Sequence, residues 1–485
     1  MRKYTLLSSL VLLGSLSLMS ACAGGSAESS GSDSSAAHGG ASPAPSSETA
    51  TVDPAKIKGL NVVNDSSNDR SCPWATSYPD VPGAKAMTAA MRADVQGYLD
   101  GYLGKDSSGQ ATACGGAATS NASELPELNI SFSMMVASGD VLGVRLLTQN
   151  RMGTGDGLTT KTYWYDGAAA KYRTTLDLVA DGSRDAFTKA VKDQLKQKEG
   201  IDLTLLDQLG ASEMDDASFT SGGDLKITFD RGSVGVPAAG RMTVTLPEAT
   251  VSPWLSDLGK RAQKQTTDPS GTLDLGATST PAASVPTESA TGNDTTDCAE
   301  VKCIALTFDD GPAAPETATL LKYLAQYKAR VTFFTVGQNV AAHPELVRAE
   351  AKAGHEVGNH SWSHPDLTRL TPAQVRQQLE RTTAAIKAAT GKAPTLFRPP
   401  YGAVNAQVKA ATTLSPVLWD VDTEDWKYRD SAKVAQTVIT KASRNDVVLM
   451  HDIHPTSVAA VPEILRTLTD EGFHFVTVSH LRATL

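Results

Sequence analysis

Positive charge is in deficit along this 485-residue chain: 44 Lys and Arg stand against 53 Asp and Glu, a formal net charge of −9. No overall positive field therefore exists to gather nucleic acid or an anionic membrane surface. Long apolar runs are scarce as well. The one near the N-terminus, Leu6 to Met19, falls short of the roughly 20 residues that a spanning helix needs, and Ser and Gly interrupt it. No later segment is long and apolar enough to span. No Gly-x-Ser-x-Gly run occurs, which removes the nucleophile elbow of the serine hydrolases. Internal repeats are absent too.

The first residues are informative. Arg2 and Lys3, the short apolar run and then Ser20 and Ala21 ahead of Cys22 form the pattern of an export signal, predicted over 1–21. Met19-Ser20-Ala21-Cys22 resembles the bacterial lipobox, in which the Cys is acylated and becomes the new N-terminus; Met19 stands where Leu is usual. The resemblance implies a chain on the extracytoplasmic face of a cell membrane, held by lipid on Cys22. Of five cysteines, four then remain, an even number in an oxidising compartment. Pairing Cys72 with Cys114 and Cys298 with Cys303 keeps each bridge inside one domain, although four cysteines allow three connectivities.

Ala23 to about Ala50 is nearly all Ser, Gly, Ala and Pro, so 22–56 is expected to be a flexible tether. A second Thr-, Ser-, Ala- and Pro-rich stretch sets a linker at 261–297. Between them, residues 57–260 combine an amphipathic helix from Ala84 to Leu103 with strand-like runs at Leu128–Val136, Val141–Thr148, Thr160–Tyr165, Leu225–Phe229 and Met242–Leu246, a small α+β domain. From 298 to 485 short apolar runs alternate with helical stretches, the pattern of a parallel α/β fold. The strand candidates are Ile304–Phe308, Val331–Val336, Glu356–Gly358, Thr395–Phe397, Val417–Trp419, Val447–Met450 and Phe473–Val478. The clearest helix has Thr371 as N-cap, Pro372 in its first turn and Gly391 after its end. Seven such strands fit a small (β/α) barrel.

Polar clusters sit where these strands end. Asp309 and Asp310 follow Ile304–Phe308 and precede Gly311-Pro312, a sequence that alone would pass for a surface turn. His360 and His364 follow Glu356–Asn359 at a spacing of i, i+4, which puts both imidazoles on one side of a helical turn. With Asp310 they form a two-His, one-carboxylate set that leaves coordination positions open, as a catalytic rather than a structural metal requires. Arg398 to Gly402, Asp422 to Trp426 and Leu449 to Asp452 lie at three more strand ends. In a parallel α/β barrel these ends share the face on which active sites are built.

In order, Thr307 to Pro312, His360 to His364, Arg398 to Tyr401, Asp422 to Trp426 and Leu449 to His451 resemble the five motifs of the polysaccharide deacetylase family (NodB homology, carbohydrate esterase 4). The resemblance covers about 300–485 and implies a distorted (β/α)7 barrel. It further implies that Asp310, His360 and His364 bind a divalent metal, zinc first, with Co2+ or another transition ion as alternatives. Asp309 would be the general base, His451 the general acid and the backbone N–H of Tyr401 an oxyanion donor. Arg398 would orient Asp309 and keep it ionised, Asp425 would hold His451 protonated, and Trp426 and Leu449 would wall the acetyl methyl pocket. Asp422, Asp452 and His454 receive no role. Within 57–260, the strands from Ser131 to Thr148, a turn at Tyr163-Trp164-Tyr165-Asp166-Gly167 and the Leu225–Leu246 pair are loosely similar to the extracytoplasmic domain found before some peptidoglycan deacetylases.

The expected activity is hydrolysis of N-acetyl groups on a GlcNAc or MurNAc polymer. Peptidoglycan is favoured because a tethered exported enzyme meets the cell wall first. Chitin-oligosaccharide deacetylation and xylan O-acetyl esterase activity are close alternatives, since metal, base and acid serve amide and ester alike. A non-catalytic lipoprotein that binds glycan or protein is a different class, and it needs neither Asp309 nor His451. A nonhaem iron oxygenase uses similar ligands but has no need of Arg398 and His451. The expected partners are cell-wall polysaccharide and, through the lipid anchor, the membrane, with no nucleic acid.

Overall fold

The computed structural model describes residues 50–104, 126–152, 157–276 and 294–485. The export signal, Cys22, most of the tether, Cys114 and the middle of the linker lie outside them. Cys72 is disulfide-bonded, and Cys298 is bonded to Cys303.

Packing begins ahead of residue 57. The Val52 N–H donates to Met134 O, 2.8 Å away, and Asp53 caps the turn Pro54–Lys56. A six-stranded sheet follows in the order β1 (Asn61–Ser67), β2 (Trp74–Asp80), β3 (Leu128–Ser138), β4 (Val141–Asn150), β5 (Leu158–Asp166) and β6 (Lys171–Arg173). All neighbours are antiparallel except β2 and β3. The helix Lys85–Leu103 makes that parallel crossover and turns Met87, Met91, Val95 and Tyr102 into the core. Tyr163 to Asp166 belong to β5, and the expected turn begins only at Gly167. A three-stranded antiparallel sheet, β7 (Asp216–Phe219), β8 (Leu225–Phe229) and β9 (Met242–Leu246), closes a second core around Trp164, Phe187, Phe219 and Phe229. Helix Asp257–Thr267 runs past the expected boundary at 260. Its polar composition reads as linker, yet it buries Leu258, Gly259 and Ala262, while Leu273 and Leu275 pack on the first core.

The C-terminal region is a mixed α/β half-barrel around a parallel sheet. Its strands are β10 (Lys302–Asp309), β11 (Thr332–Thr335), β12 (Glu356–Asn359), β13 (Leu396–Phe397), β14 (Ser415–Pro416), β15 (Val421–Asp422), β16 (Val447–His451) and β17 (Phe473–Phe475). The order is β14-β13-β12-β11-β10-β16-β15, with β17 paired to the start of β10. Every pair is parallel, so the carboxyl ends of the strands share one face. Register fixes the neighbours there: Asp309 lies between Phe334 and His451. The helix Pro372–Thr390 has the expected start and stop, Thr371 as N-cap and Gly391 in the left-handed conformation.

Two expectations are corrected. Val417–Trp419 is not a strand but the connection between β14 and β15. Two of its carbonyls serve a side chain, since Arg398 Nε donates to Val417 O (3.3 Å) and Nη2 to Leu418 O (3.2 Å). His360 and His364 share no helical turn either. They sit on an irregular loop after β12, where Ser361 (φ 66°) and His364 (φ 59°) adopt left-handed backbone.

Candidate active site

β10 delivers Asp309 on its last residue and Asp310 just beyond, in a left-handed conformation (φ 74°) rare for a residue with a side chain. Asn339 Nδ2 donates to Asp310 O at 2.6 Å and helps to hold it there. The loop after β12 carries the two histidines. Asn359 Oδ1 accepts from Ser361 N (2.8 Å), Ser361 Oγ accepts from His364 N (3.1 Å), and Gln378 Oε1 accepts from the N–H groups of Trp362 (2.8 Å) and Ser363 (3.0 Å). The loop's backbone is thereby fixed without a helix.

These constraints converge on three donors. His360 Nε2 lies 3.5 Å and His364 Nε2 3.3 Å from Asp310 Oδ1, and one ligand atom from each residue fits within 4.8 Å of the others. His360 Nδ1 is 2.6 Å from Arg398 O, which fixes its proton on Nδ1 and leaves the Nε2 lone pair facing the cluster. Burial pushes both imidazoles down to about 4, so they are neutral donors. Burial opposes ionisation of Asp310, but His364, His451, His360 and the Ser66 hydroxyl hold its carboxyl below the ordinary range. Asp310 Oδ1 and His364 Nε2 are buried without a hydrogen-bond partner, an unfavourable state that a cation resolves. The residues fit a divalent metal.

Asp309 and His451 flank this cluster from adjacent strands. Arg398, itself buried, donates from Nη1 to Asp309 Oδ1 (2.8 Å) and to Thr307 Oγ1 (2.6 Å). Burial outweighs the charge of Arg398 and lifts the Asp309 carboxyl to about 6. His451 shows the opposite balance. Burial opposes its charge, but Asp425 Oδ1 sits 2.8 Å from Nδ1 and raises the imidazole to about 9. Asp425 Oδ2 in turn accepts from His451 N (2.8 Å) and Ser457 Oγ (2.5 Å). The result is a carboxylate made more basic beside an imidazole held protonated.

Tyr401, also left-handed (φ 59°), packs edge-on to His364 with ring centroids 4.8 Å apart. Trp426 is half-buried. Leu449 is fully buried in β16. Asp452, buried and pushed up to about 7, accepts from Thr317, and His454 lies with its ring centroid 5.7 Å from that of His451. Sequence reasoning missed a further group altogether. Asn64, Ser66 and Asn68, from β1 and the loop after it, reach Asp310 and His451. They belong to no motif and stand more than 240 residues away.

Comparison with known proteins matches residues 296–415 to the polysaccharide deacetylase family model, which spans both aspartates, both histidines, Arg398 and Tyr401. A peptidoglycan-N-acetylglucosamine deacetylase of Bacillus cereus is 39% identical over 191 residues, 36% of this chain and 69% of that protein. The chain belongs to the polysaccharide deacetylase family. Two further relatives of this family member are the peptidoglycan-N-acetylglucosamine deacetylase PgdA of Listeria monocytogenes, 45% identical over 180 residues (37% of this chain, 39% of that protein), and the peptidoglycan-N-acetylmuramic acid deacetylase PdaC of Bacillus subtilis, 45% identical over 180 residues (37% and 38%). The chain thus matches about two-fifths of the length of these two relatives.

Proposed function

We propose that this chain is a metal-dependent N-deacetylase acting on the acetamido sugars of peptidoglycan. The observation that carries the reading is the pairing of Asp309 with His451 across neighbouring strand ends, one pushed up to about 6 and the other to about 9, beside the Asp310, His360 and His364 donors. A divalent metal, when bound, supplies Lewis acidity to the acetyl carbonyl and to water. Asp309, aimed by Arg398, takes the proton of the attacking water. The Tyr401 N–H receives charge developing on the carbonyl oxygen. His451 then donates its Nε2 proton to the leaving sugar nitrogen, with Asp425 stabilising the charged ring. Trp426 and Leu449 wall the acetyl methyl. Two neutral imidazoles and one carboxylate suit zinc, with other transition ions tolerated.

The relatives' names support peptidoglycan as the polymer. The lipobox-like run at Cys22 supports a lipid anchor on the outer face of the membrane. Acetate release by residues 23–485 from peptidoglycan, chitin oligomers and acetylated xylan tests the reading, with Asp309→Asn and a chelated sample as controls. Release from peptidoglycan that needs both metal and Asp309 is the expected result. Silence on all three substrates with metal bound would move the reading to a glycan-binding lipoprotein.

A further inference from the structure

The N-terminal region of the chain closes the catalytic face. In β1 and just after it, Asn64, Ser66 and Asn68 alternate at i, i+2, i+4, the spacing that puts side chains on one side of an extended strand. All three point at the site. Asn64 Nδ2 donates to Asp310 O (3.4 Å), Ser66 Oγ donates to Asp310 Oδ2 (2.5 Å), and Asn68 Nδ2 lies 3.1 Å from His451 Nε2. Arg70 continues the cover: a Cβ built on Gly402 would come within 3.1 Å of its Nη2, so its guanidinium lies over the Tyr401–Gly402 turn. The edges are fastened. Arg429 Nη2 donates to Asp65 Oδ1 (2.5 Å), and Asn129 Nδ2 donates to Ser363 O (2.9 Å) and His364 O (3.0 Å).

Closure buries the side chains of the site. Asp309, Asp310, His360, His364, Arg398, Tyr401, Asp425 and His451 are each at most 5% exposed. A cavity beside Asp310 and His364, lined by Asn64, Ser66 and Thr76, has room of about 20 Å³, little more than one water needs.

We infer that Asn68 stands in for the acetamide of the substrate and that residues 66–70 form a built-in cap that a glycan chain must displace. The inference rests on the deacetylase reading for the identity of the acetamide, and on geometry for the cap. A carboxamide offers the same carbonyl oxygen and N–H groups as an acetamido group. Its end lies 3.1 Å from His451 Nε2, the atom assigned to meet the leaving nitrogen. With Nδ2 toward His451, Asn68 faces a ring whose only proton is on Nδ1, beside Asp425. Opposite an imidazolium, the amide turned over offers Oδ1 instead. In both arrangements the nitrogen that delivers the proton is covered.

The test uses zinc-loaded residues 23–485 as wild type, Asn68→Ala, Asp65→Ala and Asn68→Asp. Two quantities are read: the rate at which a coloured chelator strips zinc, and kcat/KM for acetate release from chitin oligomers and peptidoglycan. Asn68→Ala and Asp65→Ala are expected to raise chelator access about tenfold and kcat/KM severalfold, because the open fraction grows. Asn68→Asp, which puts a carboxylate against His451 as the acetate product would, is expected to lower both. Equal chelator access in all four proteins overturns the cap. So does a fall in kcat/KM for Asn68→Ala with access unchanged, which would make Asn68 an ordinary positioning residue. Faster stripping in Asn68→Ala without acetate release from any glycan supports the cap and removes the deacetylase reading.

Discussion

Asp216 in the N-terminal region and Asp310 in the C-terminal region are both almost fully buried, 1% and 2% exposed. Asp216 is surrounded by donors from its own fold. Oδ1 accepts from Arg145 Nε (2.7 Å) and Thr162 Oγ1 (2.6 Å), and Oδ2 from Thr160 Oγ1 (2.5 Å). Asp310 has Ser66 on one oxygen and, on the other, two neutral imidazoles that offer no proton to Oδ1. A buried carboxylate whose partners all come from the chain holds the fold together. One left with an open oxygen, beside other open donors, is arranged for something the chain does not contain.

Replacing each aspartate in turn sharpens that contrast. Asp310→Ala is expected to remove zinc binding at micromolar concentrations and to lower kcat/KM by about 10³-fold or more, the loss of several kcal/mol of transition-state stabilisation. Its effect on the melting temperature of the metal-free chain should be the smaller of the two. Asp216→Ala removes the acceptor that Arg145, Thr160 and Thr162 share and should cost about 3 kcal/mol of stability by denaturant titration, while kcat/KM per folded molecule stays at the wild-type value. A large activity loss in folded Asp216→Ala, or a larger stability loss in Asp310→Ala, would break the comparison.

Asp425 is an intermediate case, satisfied by the chain and aimed at chemistry. Its partners are His451 and Ser457, and its charge is what lifts His451 to about 9 against burial. In the proposed role of general acid His451 must be protonated, so activity should fall as pH rises through about 9. In Asp425→Asn burial is left to dominate, and the alkaline limb of the kcat/KM profile should move below the ordinary histidine value of about 6.5, at a loss of about tenfold or more at pH 8. The same ion pair stabilises the fold. That contribution is complete below about pH 6.5 and disappears as pH rises through the folded value, so the wild type should lose stability near pH 9 and Asp425→Asn should not. An unmoved alkaline limb would assign the acid to another group.

The C-terminal region was legible in the sequence because its chemistry is local: each polar cluster directly follows a short apolar strand, so strand order alone brings Asp309, His360, Arg398, Asp425 and His451 to one face. What could not be read was backbone conformation. The i, i+4 spacing of His360 and His364 suggests a helical turn, and only the Asn359, Ser361 and Gln378 hydrogen bonds reveal a loop that does the same work. β1 and β2 went unseen for a related reason. A strand is recognised when one face is apolar, and β1 turns Asn64 and Ser66 toward a polar site, so its alternation carries no hydrophobic signal. Burial of Asp309 was the remaining surprise, since the sequence shows its Arg398 partner but not the desolvation that outweighs it.

The smallest expected effect falls on a polar group that water can replace. Thr371 Oγ1 accepts from Gln374 N (3.3 Å) and Gln374 Oε1 accepts from Thr371 N (2.9 Å), a reciprocal cap at the start of helix Pro372–Thr390. This N-terminus is exposed, so in Thr371→Ala solvent takes over the orphaned donors and the cost should be about 1 kcal/mol. The body of the same helix places the half-buried Gln378 against the backbone of the loop that carries His360 and His364. Zinc affinity should therefore be unchanged in Thr371→Ala but weaker by about tenfold in Gln378→Ala, the size expected when a support of a metal ligand is lost. Titrating both variants against a competing chelator separates the two. Equal losses of affinity would mean that the cap, and not the contact inside the fold, positions His360 and His364.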